Sequence, residues 1–340
     1  MTGNVLKPLR MLMRIAQISA AIFFLGATVL AGVSRAQQAQ ISNDTNTEIA
    51  VLPVQGSVYM VVGSGGNITL QVGQEGVLLV DTGNTQLSGK VLAAIRKLSD
   101  KPIRIIINTN VDADHVGGNE TIGNAGSSVV GAVVGYSAQD IQKGAQILAH
   151  ENAFNRMNGM TGGKSSWPSA AWPTDPYSTS PKKLYSNEEG VEIIHTPAAH
   201  TDGDSIVFFR RSDVVSAGDI FVTTGYPVIN LEKGGSIQGI IDGLNRILDL
   251  TIAKQDSEGG TYVIPGHGRL SDQFDVLEYR DMVTIIRDRV QDMIKKNKTL
   301  EEIRAARPTE DYDARYGTSS GPWTTDMFIE AVYKSLMETK

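Results

Sequence analysis

Four stretches of the chain concentrate side chains that can bind a metal ion or accept a proton. The first, INTNVDADHVGGN, sets amide or carboxylate side chains at every second position and then a histidine: Asn108, Asn110, Asp112, Asp114 and His115. The others are PAAHTDGDS with His200, AGD with Asp219 and PGHG with His267. The chain has no cysteine, so any metal must be held by His, Asp, Glu or Asn.

The first stretch does not fit a calcium loop of the EF-hand type. Such a loop requires glycine at its sixth position and glutamate at its twelfth. Counted from Asn108, those positions hold Ala113 and Asn119. Two further histidines, His150 and His195, lack comparable polar neighbours in sequence and are predicted to be structural.

The candidate residues follow apolar runs that read as buried strands. VYMVVG, NITLQVG and VLLVDTG are short runs separated by glycine turns, which predict an antiparallel meander. Apolar residues at helical spacing predict a helix over Leu87–Leu98, and IRIIINT is the strand that leads into the first stretch. Further strands are predicted at Val191–His195, Ser205–Phe209, Val214–Phe221 and Thr261–Gly268, and helices at Ala138–Arg156, Ile237–Ile252, Gln273–Lys296 and Thr325–Met337. Strand ends are where α/β scaffolds place binding groups.

The ends of the chain and one internal segment differ from this pattern. Residues 1–36 combine a basic start, an apolar run and the small-residue site Ser34-Arg35-Ala36, which predicts a cleaved signal peptide and an exported, periplasmic or secreted protein. An uncleaved membrane anchor is the alternative. Residues 37–48 are a predicted linker, and 49–340 a single domain with C-terminal helices over 273–340. Near 158–181 an insertion contains Trp167, Trp172 and several prolines, and it fits either a solvated loop or a flap over the substrate.

The overall charge disfavours polyanionic partners. The net charge of the whole chain is −6, and residues 1–36 carry basic but no acidic side chains, so the remainder is more negative still. This balance disfavours nucleic acid and, after signal cleavage, an anionic membrane surface. A small-molecule substrate is the expected partner, and the oligomeric state is left open.

In their order along the chain, these motifs resemble the metallo-β-lactamase-fold metallohydrolases. The similarity covers most of residues 50–270: the glycine-rich meander ending in LLVDTG, then NTxxxxDHxGGN, HTDGD, AGD and PGHG. It implies an α/β fold, a four-layer αβ/βα sandwich, with one or two metals on its rim. It also implies hydrolysis by metal-bound hydroxide.

The resemblance assigns a role to each candidate residue. The family motif H-x-H-x-D-H reads N-x-D-x-D-H here, so Asn110 and Asp112 stand where the first metal position has two histidines, and His200 is its third ligand. The set for the second position is Asp114, His115, His267 and Asp219, with Asp219 at the bridging carboxylate. Asp114 is also the expected catalytic residue that orients the hydroxide, and Asp81 is expected to brace the motif loop.

The altered first position changes the expected metal chemistry. An amide and a carboxylate are harder ligands than imidazoles, so we expect a lower zinc affinity, and an Asn/Asp/His set suits iron, manganese or magnesium better than three histidines do. The second position keeps two imidazoles and two carboxylates, which can hold zinc or ferrous iron. One or two divalent metals are therefore expected, with zinc at the second position and iron or manganese as alternatives.

Three functions are consistent with this reading. The first is a metal-dependent hydrolase that acts on an ester, lactone, thioester or amide-type substrate. The second is a pseudoenzyme or periplasmic binding protein that keeps the fold after losing the two histidines. The third is an iron-dependent redox enzyme on the same fold.

Overall fold

The computed structural model describes residues 47–128, 144–161, 165, 167–256 and 259–338. The predicted signal peptide and all but the last two residues of the predicted linker lie outside these ranges. Within the described ranges, no helix has the length and apolar character needed to cross a bilayer.

The first half of the chain forms a seven-stranded mixed sheet in sequential order. Its strands are β1 Ala50–Gln55, β2 Val58–Val62, β3 Ile68–Val72, β4 Val77–Val80, β5 Ile103–Ile107, β6 Gln146–His150 and β7 Asp175–Tyr177. Strands β1 to β4 pair antiparallel, as the glycine turns predicted. From β4 to β7 the pairing is parallel, so the carboxyl ends of these strands share one edge.

The second half forms a six-stranded sheet in the order β13-β12-β11-β10-β9-β8. Its strands are β8 Lys182–Ser186, β9 Glu189–Thr196, β10 Asp204–Phe209, β11 Val214–Val222, β12 Tyr262–His267 and β13 Ser271–Asp272. Only β11 and β12 pair parallel in this sheet, and the other described pairs are antiparallel.

Nine α-helices lie within the described residues. They are α1 Ser88–Leu98, α2 Ala113–Val116, α3 Asn119–Asn124, α4 Glu151–Met157, α5 Ile237–Leu250, α6 Gln273–Lys295, α7 Leu300–Ala305, α8 Glu310–Tyr316 and α9 Thr325–Glu338. Both faces of the central strands are apolar because both are covered. In β4, Leu78 and Val80 pack against the second sheet, whereas Val77 and Leu79 pack against α1.

The second sheet is covered in the same way. Val214 of β11 faces the first sheet, and its neighbour Val215 packs in the cluster that contains α5, α6 and α9. The order of layers is therefore helices, sheet, sheet, helices. The predicted four-layer αβ/βα sandwich is confirmed.

Two sequence predictions about helices need correction. Residues 138–143 of the helix predicted over Ala138–Arg156 lie outside the described ranges. In the described remainder the prediction is wrong, because Gln146–His150 forms β6 and the helix begins only at Glu151. The apolar run ILAH is short, and parallel pairing with β5 outweighs its helical spacing. The short helices α7 and α8 were missed because six or seven residues carry too little periodicity.

The predicted insertion near 158–181 is partly ordered into the fold. Ser169–Ala171 forms a 3-10 turn, and Asp175–Tyr177 adds β7 to the edge of the first sheet. The segment is thus neither a free loop throughout nor a separate unit.

Candidate metal centre

The candidate residues converge at the edge where strands of the two sheets end. β4 ends before Asp81, β5 leads into the INTNVDADHVGGN stretch, and β12 ends at His267. Asp219 lies within β11. A hydrogen bond from Ser205 N to Thr109 O, 2.8 Å long, ties this edge of the second sheet to the first.

The alternate polar residues of INTNVDADHVGGN do not continue strand β5, which ends at Ile107. Asp112 has extended backbone (φ −73°, ψ 150°) and precedes α2, which contains Asp114 and His115. Asn108 belongs to a different set, since it exchanges amide hydrogen bonds of 3.1 and 2.8 Å with Asn119. Asn108 therefore fastens the loop, and the residues after it face the site.

Asp81 braces the loop through three hydrogen bonds. Its carboxylate accepts from Thr109 N at 2.8 Å, from Thr109 Oγ1 at 2.6 Å and from His115 Nδ1 at 2.8 Å. Because a carboxylate only accepts, Nδ1 of His115 carries the hydrogen, and in the neutral ring Nε2 keeps its lone pair. Asp81 itself adopts a positive φ of 65°, which the two bonds to Thr109 hold in place.

The predicted second-position residues lie together. His267 Nε2 is 3.2 Å from Asp114 Oδ2 and 3.5 Å from Asp219 Oδ1. His115 Nε2 is 3.1 Å from Asp219 Oδ2. The ligand atoms of Asp114, His115 and His267 lie within 4.8 Å of one another, which is a spacing that one metal ion could bridge.

Two buried atoms at this position support a cation there. His115 Nε2 and Asp219 Oδ1 are buried and form no hydrogen bond, although each has an oppositely charged or polar group nearby. A buried polar atom without a partner is costly unless something else satisfies it. An imidazole lone pair and a carboxylate oxygen are suitable ligands for a divalent metal, so the donor set fits one.

The predicted first-position residues are arranged differently. His200 Nε2 lies 3.1 Å from Asp112 Oδ2 and 3.8 Å from Asp219 Oδ2, and its Nδ1 donates to Val228 O at 2.9 Å. The amide nitrogen of Asn110 donates to Asp219 Oδ2 at 3.1 Å. The Asn110 oxygen, the atom that could bind a metal, accepts from Asp112 N at 2.8 Å.

Sequence reasoning missed Lys233, which forms an ion pair with Asp112 Oδ1 at the first position. Lys233 ends the 3-10 turn Leu231–Lys233, in a stretch that carries no ligand-like motif. It lies far along the chain from Asp112, and no spacing in the sequence indicates the contact. Only the packing of the turn against the motif loop brings the ammonium to that carboxylate.

The electrostatics show that the cluster attracts positive charge. Burial alone would lower the pKa of His200, yet the hydrogen bond to Asp112 and the charge of Asp219 raise it to about 9. Burial likewise opposes protonation of His115, but Asp219 and Asp81 raise its pKa well above the ordinary value. A potential that holds protons on buried imidazoles will also hold a metal in their place.

Close packing fixes the positions of the ligands. At Gly266 of the PGHG motif, a Cβ atom would lie 2.2 Å from Asp219 Oδ1. At Gly66, a Cβ atom would lie 3.0 Å from the ring of His115 and from the carbonyl of Asp114. These glycines let the backbone approach the ligands, which explains why the motifs contain glycine beside the ligand-capable residues.

A cavity of about 500 Å³ opens beside Asp112 and Asp114. Its wall includes residues of α4 and the insertion and carries both apolar and basic side chains: Val111, Arg156, Met157, Trp167 and Lys233. Arg156 is held by Asp202 at 2.6 Å. Of the predicted insertion, Trp167 lines this cavity, and a role as a flap over the substrate stays a prediction.

His150 and His195 stack on each other beneath α4, with ring centroids 3.5 Å apart. Burial and the neighbouring His195 lower the pKa of His150 to about 4, and its Nδ1 accepts from Asn152 N at the start of α4. The two side chains thus contact each other, His150 also contacts the start of α4, and their structural role stays a prediction.

Comparison with known proteins identifies the family. Residues 61–267, more than half of the chain, match the metallo-beta-lactamase superfamily. The chain belongs to this superfamily. The resemblance read from the LLVDTG, DHxGGN, HTDGD, AGD and PGHG motifs is thereby confirmed.

Particular members of the superfamily are similar over different extents. A linear primary-alkylsulfatase of Pseudomonas is 51% identical over 45 residues, which are 13% of this chain and 8% of that protein. The structure of the stereoselective inverting sec-alkylsulfatase Pisa1 from Pseudomonas aligns with a TM-score of 0.59 at 15% identity, over 84% of this chain and 50% of that one. A metallo-beta-lactamase from Pontibacter korlensis aligns with a TM-score of 0.52 at 15% identity, over 70% and 99%. The chain thus spans half or less of the sulfatases it matches, and the structural likeness concerns the fold.

Proposed function

We infer that the protein is a metal-dependent hydrolase with its catalytic metal at the second position. The observation that carries this proposal is the pair of buried, unsatisfied atoms, His115 Nε2 and Asp219 Oδ1, which converge with Asp114 and His267. Membership of the superfamily supports it. Zinc is the proposed metal, because two imidazoles and two carboxylates suit it.

A bound divalent metal at such a position lowers the pKa of water and polarises a substrate oxygen. The protein's own residues then have separate tasks. Asp114 faces the cavity, and although burial raises its pKa, the hydrogen bond with His267 and the charge of His115 hold that pKa below the ordinary value. It remains a carboxylate at neutral pH and can orient water and accept its proton.

Two other residues keep the donor atoms in place. Asp81 fixes the ring of His115 so that Nε2 faces the site. Asn110 donates to Asp219 Oδ2 and so holds this carboxylate with Oδ1 directed toward His267. Both roles act through a ligand and not on the substrate.

For the substrate, we propose an ester with an apolar alcohol part and an anionic acid part, with alkyl sulfates as the first class to test. The cavity supports the apolar part of this choice, because Trp167 and Met157 offer apolar surface there. Lys233 and Arg156 line the same cavity, each paired with an aspartate, Asp112 and Asp202 respectively. The similarity to alkylsulfatases points the same way. Hydrolysis would add water across the ester bond and release an alcohol and hydrogen sulfate.

The test is a hydrolysis panel on the zinc-loaded protein. The panel contains alkyl sulfates, lactones, thioesters, phosphate esters and a β-lactam, and zinc content is measured by mass spectrometry on the same samples. Turnover of at least one substrate, abolished in Asp114→Asn while the fold and the cavity persist, is expected. Bound zinc without turnover of any member would favour the binding-protein alternative, and an iron chromophore in the isolated protein would favour the redox alternative.

A further inference from the structure

The backbone of Lys233 is held next to the first position by hydrogen bonds at both its N–H and its C=O group. Its backbone nitrogen donates to Asn230 Oδ1 at 3.1 Å, and its carbonyl accepts from Asp202 N at 2.9 Å and from Arg156 Nη2 at 3.1 Å. Gly234 follows with φ 78°, which turns the chain directly after the lysine. The direction of the Lys233 side chain toward the motif loop is thus set by the fold.

Both carboxylate oxygens of Asp112 have partners. Oδ1 forms the ion pair with Lys233, and Oδ2 lies 3.1 Å from His200 Nε2. The carboxylate is about a quarter exposed and the lysine side chain about a third, so the pair is partly shielded from water. The anion that replaces a family histidine is therefore already neutralised by a side chain.

The neighbouring Asn110 offers no free oxygen atom that could bind a metal. Its amide group points NH₂ at Asp219, and its oxygen is engaged with the backbone of Asp112. Exchanging the two atoms would place NH₂ against an N–H group, so the two contacts together fix the orientation. A metal bound to the Asp112 carboxylate would therefore be close to the Lys233 ammonium, which is bound to the same carboxylate. It would also be close to the NH₂ group of Asn110, which is not a metal ligand.

We propose that Lys233 takes the place of the first metal ion, so that the protein binds a single divalent metal, at the second position. The ammonium supplies the positive charge next to Asp112 and His200 that a metal supplies in a two-metal site. This inference rests on the proposed function for its second-position metal, but it concerns a different cation and a different set of residues.

The experiment measures zinc stoichiometry in the purified full chain after saturation with zinc and removal of excess. The wild type is expected to bind one equivalent. Lys233→Met is expected to bind two, because Asp112, His200 and Asp219 have ligand atoms within 4.8 Å of one another once the ammonium is gone. Lys233→Arg, which keeps the charge, is expected to bind one.

A matched control is Lys182→Met. Lys182 forms an ion pair with Asp175 at 2.6 Å with similar exposure, and that pair lies outside the cluster. This variant is expected to bind one equivalent. If Lys233→Met fails to fold, Lys233→Gln tests the same point with a polar side chain.

The possible results separate the two proposals. Two equivalents of zinc in the wild type would overturn the role of Lys233 and leave the hydrolase proposal unaffected. One equivalent in both Lys233→Met and Lys233→Gln would have the same consequence. No bound zinc in the wild type would overturn the metal-dependent hydrolase itself. Calorimetric titration of the metal-free protein provides a second readout, with one binding transition expected in the wild type and two in Lys233→Met.

Discussion

The two candidate metal positions share Asp219 but differ in how their charges are satisfied. At the second position, His115 Nε2 and Asp219 Oδ1 are buried without a hydrogen bond, and a bound metal ion would satisfy both atoms. At the first position, Asp112 is paired with Lys233 and Asn110 is engaged with Asp219 and the backbone. Ligand-capable residue types are thus present at both positions. Charge pairs also occur at both, but the two buried ligand atoms without a hydrogen bond, His115 Nε2 and Asp219 Oδ1, lie at the second position.

This difference teaches that residue type alone does not define a metal site. A carboxylate paired with a lysine attracts a cation less strongly than an unpaired one, because the ammonium repels that cation. Conversely, Asp81 fixes the His115 tautomer and would thereby strengthen metal binding at the second position without being a ligand itself. The following predictions test the contrast between the two positions, from the largest expected effect to the smallest.

The largest effect is expected from Asp219→Asn, which removes the shared carboxylate. Zinc content should fall to near zero and turnover by at least about 100-fold, beyond the losses typical for outer partners of a metal ligand. Mass spectrometry and hydrolysis rates measure both. Asp175→Asn, in an ion pair with Lys182 outside the cluster, should retain metal and activity. Full zinc content in Asp219→Asn would contradict the assignment of the second position.

Removing the metal should destabilise the protein. A ligand that binds only the folded state, at 1,000 times its Kd, contributes about 4 kcal/mol to the free energy of unfolding. Chelation should therefore lower the melting temperature of the wild type measured by calorimetry. Asp219→Asn should show no such shift. Equal melting temperatures with and without chelator in the wild type would mean that no metal stabilises the fold.

Asp81→Asn should weaken zinc binding at the second position by about 10- to 100-fold, because outer partners orient the ligating imidazole. The measurement is the zinc Kd by competition with a chelating dye, with circular dichroism to verify folding. The contrasting variant is Asp204→Asn, whose carboxylate accepts from Thr201 N and Oγ1 in the loop that carries His200. It should change the Kd little. A larger effect of Asp204→Asn than of Asp81→Asn would reverse the comparison.

Much of this site could be predicted from the sequence because its signals are local. Each motif follows a run of apolar β-formers, so the strand ends and their candidate ligands can be read together. The four-layer sandwich was implied by the resemblance to the metallo-β-lactamase-fold metallohydrolases. The same resemblance singled out Asp81 in LLVDTG, and in the structure its carboxylate accepts a hydrogen bond from His115.

What the sequence did not predict depends on contacts between distant segments. Lys233 contacts Asp112 because the 3-10 turn Leu231–Lys233 lies next to the residue that precedes α2. The amide orientation of Asn110 depends on Asp219 from the other sheet. Trp167 lines the cavity because β7 anchors its insertion at the sheet edge. No spacing along the chain encodes these pairings, so periodicity and motif order could not reveal them.

The smallest effect concerns Asn110, which the family alignment of motifs assigns to the first metal and the geometry assigns to Asp219. If it acts as a hydrogen-bond donor that holds Asp219, Asn110→Ala should weaken zinc binding by about fivefold, which is ~1 kcal/mol, the typical net contribution of one hydrogen bond. The stoichiometry should stay at one equivalent. The control is Asn152→Ala, which removes a side-chain amide hydrogen bond to Asp202 O outside the cluster. It should leave the zinc Kd unchanged.

The outcome distinguishes two physical roles for the same amide. A metal ligand removed from the first position would lower the number of zinc ions bound and leave the second-position Kd alone. A donor to Asp219 does the reverse, because it changes the orientation of a carboxylate that the second position needs. Two equivalents in the wild type and one in Asn110→Ala would therefore return Asn110 to the first position as a ligand, and with it the metal that Lys233 is proposed to replace.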